Sequence, residues 1–126
     1  MDQCVFCKIA HGKTKAIKSY EDELTLAFTP KDEISEGHTL IIPKAHYESL
    51  FDIPEDLLRK VIVLAKNISI KLKTEMRGTG VNLLHASGKD AQQSVSHFHI
   101  HIVPRHPNDE LDLWIKSGIE KQKHNP

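Results

Sequence analysis

QSVSHFHIHIV, residues 93–103, carries the strongest structural signal in the sequence. Every second residue from position 97 is a histidine, and apolar residues lie between: His97, His99 and His101 alternate with Phe98, Ile100 and Ile102. Successive side chains of a β-strand point to opposite faces, whereas on a helix the three imidazoles would scatter around the axis. The alternation therefore predicts a strand over residues 95–103, with one face in the core and a row of imidazoles on the other.

Shorter patterns elsewhere indicate further strands. Leu24, Leu26 and Phe28 alternate in a way typical of a half-buried strand, and the acidic residues 21–23 predict a turn that joins two short strands. The other expected elements are a short helix at residues 4–10, a loop at 29–37, strands at 39–42 and 81–85, and a polar loop at 86–93. Together they indicate an α+β fold, with an antiparallel sheet of about five strands.

One long helix is expected over residues 52–77. Asp52 is placed to cap it, Pro54 lies in its first turn, and Glu55 completes a pattern like a capping box. Two glycines follow closely and are expected to end it. Eight apolar residues recur at helical spacing and are expected to face the sheet: Leu57, Leu58, Val61, Ile62, Leu64, Ala65, Ile68 and Leu72.

Length and composition indicate one domain. The chain has 126 residues, 39% of them hydrophobic, and its 17 basic residues balance 17 acidic ones. We expect a single domain over residues 1–126, with its core in 4–105 and a C-terminal segment at 106–126. The balanced charge gives no indication of a nucleic-acid or membrane partner, and no apolar run approaches the roughly 18 residues of a membrane span. With two cysteines and no secretory signal pattern, the protein is expected to be cytoplasmic.

The histidine face has two simpler explanations, an ordinary half-buried strand and a tract that binds a metal. Neither accounts for the strict alternation or for Gln93 and Ser94 in front of it. A neutral imidazole is a competent nucleophile near pH 7, and the P–N bond that it forms with phosphorus is labile enough to turn over. Neighbouring imidazoles and hydroxyls can stabilise the charged oxygens of a transferring group. The pattern therefore favours phosphorus chemistry.

Three segments together resemble the histidine-triad (HIT) family. Residues 97–103 match the family signature His-φ-His-φ-His-φ-φ, in which φ is apolar. Residues 37–46, GHTLIIPKAH, are similar to its Gly-His-x-Leu-φ-φ-Pro-Lys-x-His segment, and residues 4–9, CVFCKI, to its N-terminal Cys-φ-Phe-Cys-Lys-Ile. The segments occur in the expected order, which chance rarely produces. The resemblance implies the HIT fold and a homodimer with the long helix and a sheet edge at its interface.

The resemblance also implies a nucleotide hydrolase or transferase that acts at the α-phosphorus through a nucleotidyl-histidine intermediate and needs no catalytic metal. By this resemblance His99 is the nucleophile, and His101 hydrogen-bonds the phosphate and the leaving group. The other residues that it implies are His97 and His38 in catalysis and Gln93 and Ser94 as phosphate contacts.

Two positions depart from the family pattern and concern recognition of the ribose and base. Pro30 and Ala86 stand where the family commonly has Asp and Asn, and Ser87 is placed to substitute in part for the Asn. These changes leave the implied phosphate chemistry intact. Three apolar residues are candidates for the cleft that holds the base, with simple core packing as the alternative for each: Phe6, Ile9 and Phe28.

The Gln-Ser pair and the N-terminal cysteine motif resemble the Hint branch of the family more than the Fhit branch. This resemblance implies hydrolysis of purine nucleoside phosphoramidates or related adenylyl conjugates, with an AMP-like product. Three alternatives stay open. They are hydrolysis of dinucleoside polyphosphates, nucleotide binding by a regulatory protein with little turnover, and a zinc-dependent interaction module.

Cys4 and Cys7 form a Cys-x-x-Cys pair, which alone is a weak metal motif. With His46 and His97 it makes a tetrahedral Cys₂His₂ set, and closed sets of this kind hold structural zinc. The resemblance supports zinc, since many zinc-carrying members use the same four positions. The alternative is two half-buried cysteines, with both histidines satisfied by hydrogen bonds. A bound zinc would act indirectly, by tying the N-terminal segment to the histidine strand.

Overall fold

The structure is a computed structural model that describes residues 3–116. Its fold is built on five strands, which are β1 (Lys18–Glu21), β2 (Thr25–Phe28), β3 (Thr39–Pro43), β4 (Gly80–Leu84) and β5 (Ile100–Arg105). Neighbouring strands are antiparallel, and their order is β1-β2-β3-β5-β4. The helices are α1 (Val5–Ala10) and α2 (Glu55–Met76), and a 3₁₀ turn spans Lys89–Ala91. The predicted α+β class, with a five-stranded antiparallel sheet, one long helix and a short N-terminal helix, is confirmed. Residues 117–126 of the expected C-terminal segment lie outside the described residues.

Both faces of the central strands are covered by helices. On one face, α1 packs on side chains of β2 and β3 in a cluster that comprises Phe6, Ile9, Leu26, Phe28, Leu40 and Ile42. On the other face, α2 packs on a cluster that includes Ala27, Ile41, Phe98, Ile100 and Ile102. All four residues of β2 are buried, so the prediction of a half-buried strand is wrong. Leu26 and Phe28 of β2 pack on the α1 side and Ala27 packs on the α2 side, so neither face of this strand is open to solvent.

The long helix buries a stripe as expected, with one exception. Val61, Leu64, Ala65 and Ile68 are buried, and Leu57, Leu58 and Leu72 are partly buried against the same cluster. Ile62 was predicted to face the sheet, but it is 45% exposed. Each helical residue turns by about 100°, so the residue after Val61 points away from the centre of the buried stripe. Neither helix in the described residues is long and apolar enough to span a bilayer.

The predicted start of the long helix is wrong by three residues. α2 begins at Glu55, and Pro54 is its N-cap, in an extended conformation and without a side-chain cap. The carboxylate of Asp52 instead accepts hydrogen bonds from the backbone N–H groups of Glu48 and Ser49 and so closes the preceding turn. A residue before proline is disfavoured in the helical region, so Pro54 prevents the helix from starting earlier. At the other end, the residue that terminates α2 is Arg77, in a left-handed conformation with φ 54°, rather than one of the two glycines that were expected to end it.

The histidine segment enters the sheet later than predicted. Strand pairing starts at Ile100 rather than at residue 95: the last pair with β3 joins Ile41 to Ile100, although β3 itself continues to Pro43. The last pair with β4 joins Leu84 to His101. Before that point, the N–H of Phe98 donates to the carbonyl of Tyr47, at 2.6 Å, outside any ladder. The alternation of faces persists through the unpaired part, so residues 97–99 still direct histidine and phenylalanine side chains to opposite sides.

Candidate active site

His99 lies on the α1 side of the sheet and is only 4% exposed. Its ring contacts Phe6 of α1 and the ring of His101, with centroid distances of 5.2 and 5.1 Å. Its Nδ1 lies 2.8 Å from the carbonyl oxygen of His97. A carbonyl can only accept, so Nδ1 carries the hydrogen and Nε2 of the neutral ring has a free lone pair. This is the tautomer that a nucleophilic imidazole needs.

His101 is held in the opposite tautomer by His38. The N–H of Ile34 donates to Nδ1 of His38 at 3.2 Å, so the proton of the neutral His38 ring is on Nε2. That Nε2–H lies 2.9 Å from Nδ1 of His101 and donates to it. Neutral His101 therefore carries its own hydrogen on Nε2, as a donor. Two adjacent imidazoles thus offer a lone pair on one ring and an N–H group on the other.

Gly37 allows His38 to reach this position. It has φ +87°, a conformation that favours glycine, and a Cβ there would lie 2.5 Å from the sulfur of Met76 at the end of α2. The backbone before β3 therefore adopts a conformation that favours glycine and passes close to the side chains of Met76 and Pro104. We attribute the glycine of the Gly-His motif to this close approach, which places the His38 ring beside His101.

Burial keeps the three rings neutral at physiological pH. It lowers the pKa of His99 and of His38, and with the neighbouring His99 and His38 charges it lowers the pKa of His101 to about 4. A protonated His99 would have no lone pair, so a depressed pKa keeps the ring ready to attack over a wide pH range.

The low pKa of His101 predicts acid sensitivity. The free histidine value is 6.5, so between about pH 6.5 and 4 the unfolded state binds a proton that the folded state does not, and stability falls as pH falls through that window. We expect urea unfolding to show a loss of about 1–2 kcal/mol from this residue between pH 7 and pH 5. Other buried histidines contribute as well, so the measurement compares wild type with His101→Asn, whose amide oxygen can still accept from His38. An equal loss in both proteins would contradict the assignment.

The loop before the histidines is tied down by Gln93. Its Oε1 accepts from the N–H of Gly88, and its Nε2 donates to the carbonyls of Glu48 and Val95, at 2.6 and 2.9 Å. The amide that the resemblance assigns to phosphate thus also organises this loop. Ser94 is exposed beside it. Ser87 lies in the same loop, where its Oγ accepts from the N–H of Leu50 at 2.8 Å and contacts His85.

The three candidate base-binding residues lie together under the histidines. Phe6 and Phe28 pack edge to face, with ring centroids 5.6 Å apart, and Ile9 belongs to the same cluster. All three are buried. Phe6 alone of these three is recorded in ring contact with both His97 and His99. All three are therefore core residues in this structure, Phe6 also contacts the histidine rings, and a role of any of them in base binding stays a prediction.

A second cluster adjoins the catalytic candidates. Potential ligand atoms of Cys4, Cys7, His46 and His97 all lie within 4.8 Å of one another. Nδ1 of His46 is 3.2 Å from Sγ of Cys7, and Nδ1 of His97 is 3.4 and 3.5 Å from the two sulfurs. With metal–ligand distances of about 2.3 Å to sulfur and 2.0 Å to nitrogen, a tetrahedral zinc separates sulfur and nitrogen ligands by about 3.5 Å. This Cys₂His₂ set can hold a metal ion.

His97 belongs to this cluster by its ring and to the active site by its backbone. Its Nε2–H donates to the carbonyl of Pro43 at 2.8 Å, which leaves Nδ1 free to face the two sulfurs. Such an orienting hydrogen bond is typical of histidine ligands. Its carbonyl meanwhile fixes the His99 tautomer. The first histidine of the motif therefore acts on His99 through its backbone carbonyl, while its ring faces the two cysteines.

Sequence reasoning gave no role to His85, although it touches the site. Its Nδ1 lies 2.8 Å from the carbonyl of His99. The sequence gives little indication of this contact, because the acceptor is a backbone carbonyl and because His85 and His99 lie on either side of a loop. Only the position of His85 directly before that loop pointed to the pocket.

Comparison with known proteins agrees with this architecture. The HIT domain family model matches residues 11–108. Protein hit of Bacillus subtilis is 38% identical over 105 residues, 83% of this chain and 72% of that protein. Adenylylsulfatase HINT3 of Arabidopsis thaliana is 35% identical over 120 residues, 95% of this chain and 60% of that protein. Adenosine 5'-monophosphoramidase HNT1 of Candida albicans is 37% identical over 106 residues, 81% of this chain and 70% of that protein.

Solved structures share the fold over nearly the whole chain. A HIT family protein from Bacillus anthracis has a TM-score of 0.85 at 34% identity and covers 98% of this chain and 92% of its own. A zinc-bound histidine triad family protein from Mycobacterium smegmatis also has a TM-score of 0.85, at 33% identity, over 98% and 89% of the two chains. The extent of these matches and the intact histidine motif show that the chain belongs to the HIT domain family.

Proposed function

We propose that this protein hydrolyses purine nucleotide conjugates, foremost adenosine 5'-phosphoramidate, at the α-phosphorus. The observation that carries the proposal is the pair of opposite tautomers, with a lone pair on Nε2 of His99 and an N–H on Nε2 of His101. Two relatives are named for adenylyl chemistry, one as an adenosine 5'-monophosphoramidase and one as an adenylylsulfatase. Both names support an adenylyl group as the part of the substrate that is recognised.

The reaction follows from these protonation states in two balanced steps. Nε2 of His99 attacks the α-phosphorus and forms a P–N bond, while the bond to the substrate amine breaks and the amine leaves as ammonia with one proton from solvent. The carbonyl of His97 stabilises the resulting imidazolium through Nδ1–H. His101 donates its Nε2–H to a phosphoryl oxygen and stabilises the charge there. Water then attacks phosphorus, the P–N bond to His99 breaks, AMP leaves and one proton returns to solvent.

Intact-mass analysis tests this proposal. Brief mixing of the protein with adenosine 5'-phosphoramidate should give a transient adenylyl adduct and release of AMP. A parallel sample with a dinucleoside polyphosphate tests the runner-up substrate class. If only the polyphosphate is consumed, the leaving-group assignment is wrong. If a nucleotide raises the melting temperature but neither adduct nor product forms, the chain is a nucleotide-binding protein rather than a hydrolase.

We also propose that the metal of the Cys₂His₂ cluster is zinc and that its role is structural. Four protein ligands close the coordination shell and leave no position for water, so a bound zinc would supply rigidity rather than an activated hydroxide. It would join α1, through Cys4 and Cys7, to the backbone that orients His99. The zinc-bound relative supports this choice of metal. The two free thiols fit the cytoplasmic location expected from the sequence.

A homodimer through the β4 edge completes the proposal. Val81 and Leu83 of this edge strand are 42% and 43% exposed. They pair with Pro104 and Ile102 of β5, so they share the sheet face on which α2 packs. An apolar edge strand invites pairing, and a second copy related by a twofold axis would cover the same surface on both chains.

We expect Leu83→Arg to convert the dimer into a monomer, because it buries an unpaired charge at the centre of the proposed contact. Sedimentation equilibrium measures the outcome. Ile17→Arg is the matched control, since Ile17 is 74% exposed and precedes β1 at the opposite edge of the sheet. A Leu83→Arg protein that stays dimeric, or an Ile17→Arg protein that dissociates, would place the interface elsewhere.

A further inference from the structure

His85 contacts the backbone of His99 from the end of the neighbouring strand. It directly follows β4, and its Nδ1 lies 2.8 Å from the carbonyl oxygen of His99. Because a carbonyl only accepts, Nδ1 of His85 carries the hydrogen and Nε2 of the neutral ring is an acceptor. His99 is thus held at two points, by the His97 carbonyl at its ring and by His85 at its peptide group.

Ser87 completes a hydrogen-bond chain with one direction. Its Oγ accepts a hydrogen bond from the N–H of Leu50 at 2.8 Å, and its hydroxyl hydrogen is donated to Nε2 of His85. The chain therefore runs from the Leu50 amide through Ser87 and His85 to the carbonyl of His99. The His99 carbonyl selects the Nδ1–H form of His85, since in the other neutral tautomer the Nδ1 lone pair would face the lone pairs of that carbonyl; the Ser87 hydroxyl supports the same form by donating to Nε2. This chain of hydrogen bonds also links the loop before α2 to the peptide group of His99.

Packing fixes the plane of the His85 ring. The ring lies on Phe98, with centroids 4.6 Å apart and planes 36° apart, and Phe98 is fully buried in the α2-side core. His85 is therefore anchored although much of its surface is exposed.

We propose that His85 is a positioning residue for His99 and that Ser87 supports the tautomer that this contact needs. The inference rests on the proposed function only in naming His99 the nucleophile. His99 precedes the start of strand pairing at Ile100, so strand pairing does not supply its peptide group with a hydrogen-bond partner. His85 and Ser87 flank Ala86, the position where the family commonly has an Asn, and the pair gives this chain its own polar network there. A shift of the nucleophile by a fraction of an ångström is enough to lower the rate.

Two isosteric substitutions separate the two ends of the His85 ring. In His85→Asn the amide nitrogen falls near Nδ1 and can still donate to the carbonyl of His99. In His85→Gln the amide falls near Nε2, so contact with Ser87 is kept and the donor to His99 is lost. We expect kcat to fall by about tenfold or more in His85→Gln and by less than about threefold in His85→Asn, with KM nearly constant in both. Equal kcat values in the two variants would overturn the proposal, even if both melt at a lower temperature than wild type.

NMR gives a readout that does not depend on turnover. Long-range ¹H–¹⁵N spectra of wild type should show His85 in the Nδ1–H form, and Ser87→Ala should raise the share of the Nε2–H form, because it removes the donor to Nε2. The ring resonances of His99 should move in His85→Gln and stay near their wild-type positions in His85→Asn. A wild-type His85 in the Nε2–H form would refute the chain of hydrogen bonds. If the NMR results agree but no substrate is hydrolysed, the proposed function fails while the positioning contact stands.

Discussion

His99→Ala is expected to lower the turnover of adenosine 5'-phosphoramidate by at least about a thousandfold, because it removes the atom that attacks phosphorus. The remaining groups, including the His101 donor, can bind the phosphate but cannot form the covalent intermediate. Nucleotide affinity should therefore change much less than kcat. The measurement is steady-state release of AMP, combined with intact mass to detect the adenylyl adduct, which should be absent in the variant.

Alanine also leaves a space beside Phe6, so His99→Asn is the better matched substitution. Its amide nitrogen can keep the hydrogen bond to the His97 carbonyl while the Nε2 lone pair is lost. Both variants should show the same loss of turnover, and His99→Asn should melt closer to wild type. His11→Ala, a change at an exposed histidine, serves as the control that retains activity. An adduct that persists in His99→Asn would assign the nucleophile to another residue.

The sequence predicted the sheet well because its evidence is local. Alternating His and apolar residues determine which side chains share a face, and that held even where residues 97–99 lack strand pairing. The errors concern information from elsewhere in the chain. The start of β5 depends on where its pairing with β3 and β4 stops, and the burial of β2 depends on α1. That residues 1–126 form a single domain stays a prediction.

The site was less predictable than the fold, because its contacts join distant residues through single atoms. His38 and His101 are 63 positions apart, and no spacing rule pairs them. The resemblance to the HIT family named both, but their opposite tautomers follow only from the hydrogen bonds in the structure. His85 had neither a motif nor a spacing signal. Backbone acceptors such as the His97 and His99 carbonyls exist at every residue, so sequence alone cannot select them.

Loss of metal is the second large effect that we expect. The wild-type protein should contain about one zinc per chain, and the Cys4→Ser/Cys7→Ser protein should contain almost none, because both sulfur ligands are gone. The melting temperature should fall by about 10 °C or more, since the proposed zinc would join α1 to the histidine segment. Elemental analysis and thermal unfolding, with and without a chelator, measure both outcomes. The chelator should have no further effect on the double variant.

The activity of the zinc-free protein distinguishes a structural metal from a catalytic one. The His99 tautomer is set by the carbonyl of His97, whose ring belongs to the proposed ligand set, so loss of zinc should loosen that carbonyl and lower kcat without abolishing it. The adenylyl adduct should still form, more slowly, in the double variant at a temperature where it is folded. Complete loss of the adduct from folded protein would instead assign zinc a part in the chemistry. Zinc at full occupancy in the double variant would refute the ligand set. His11→Ala, which changes a histidine outside the ligand set, should keep its metal.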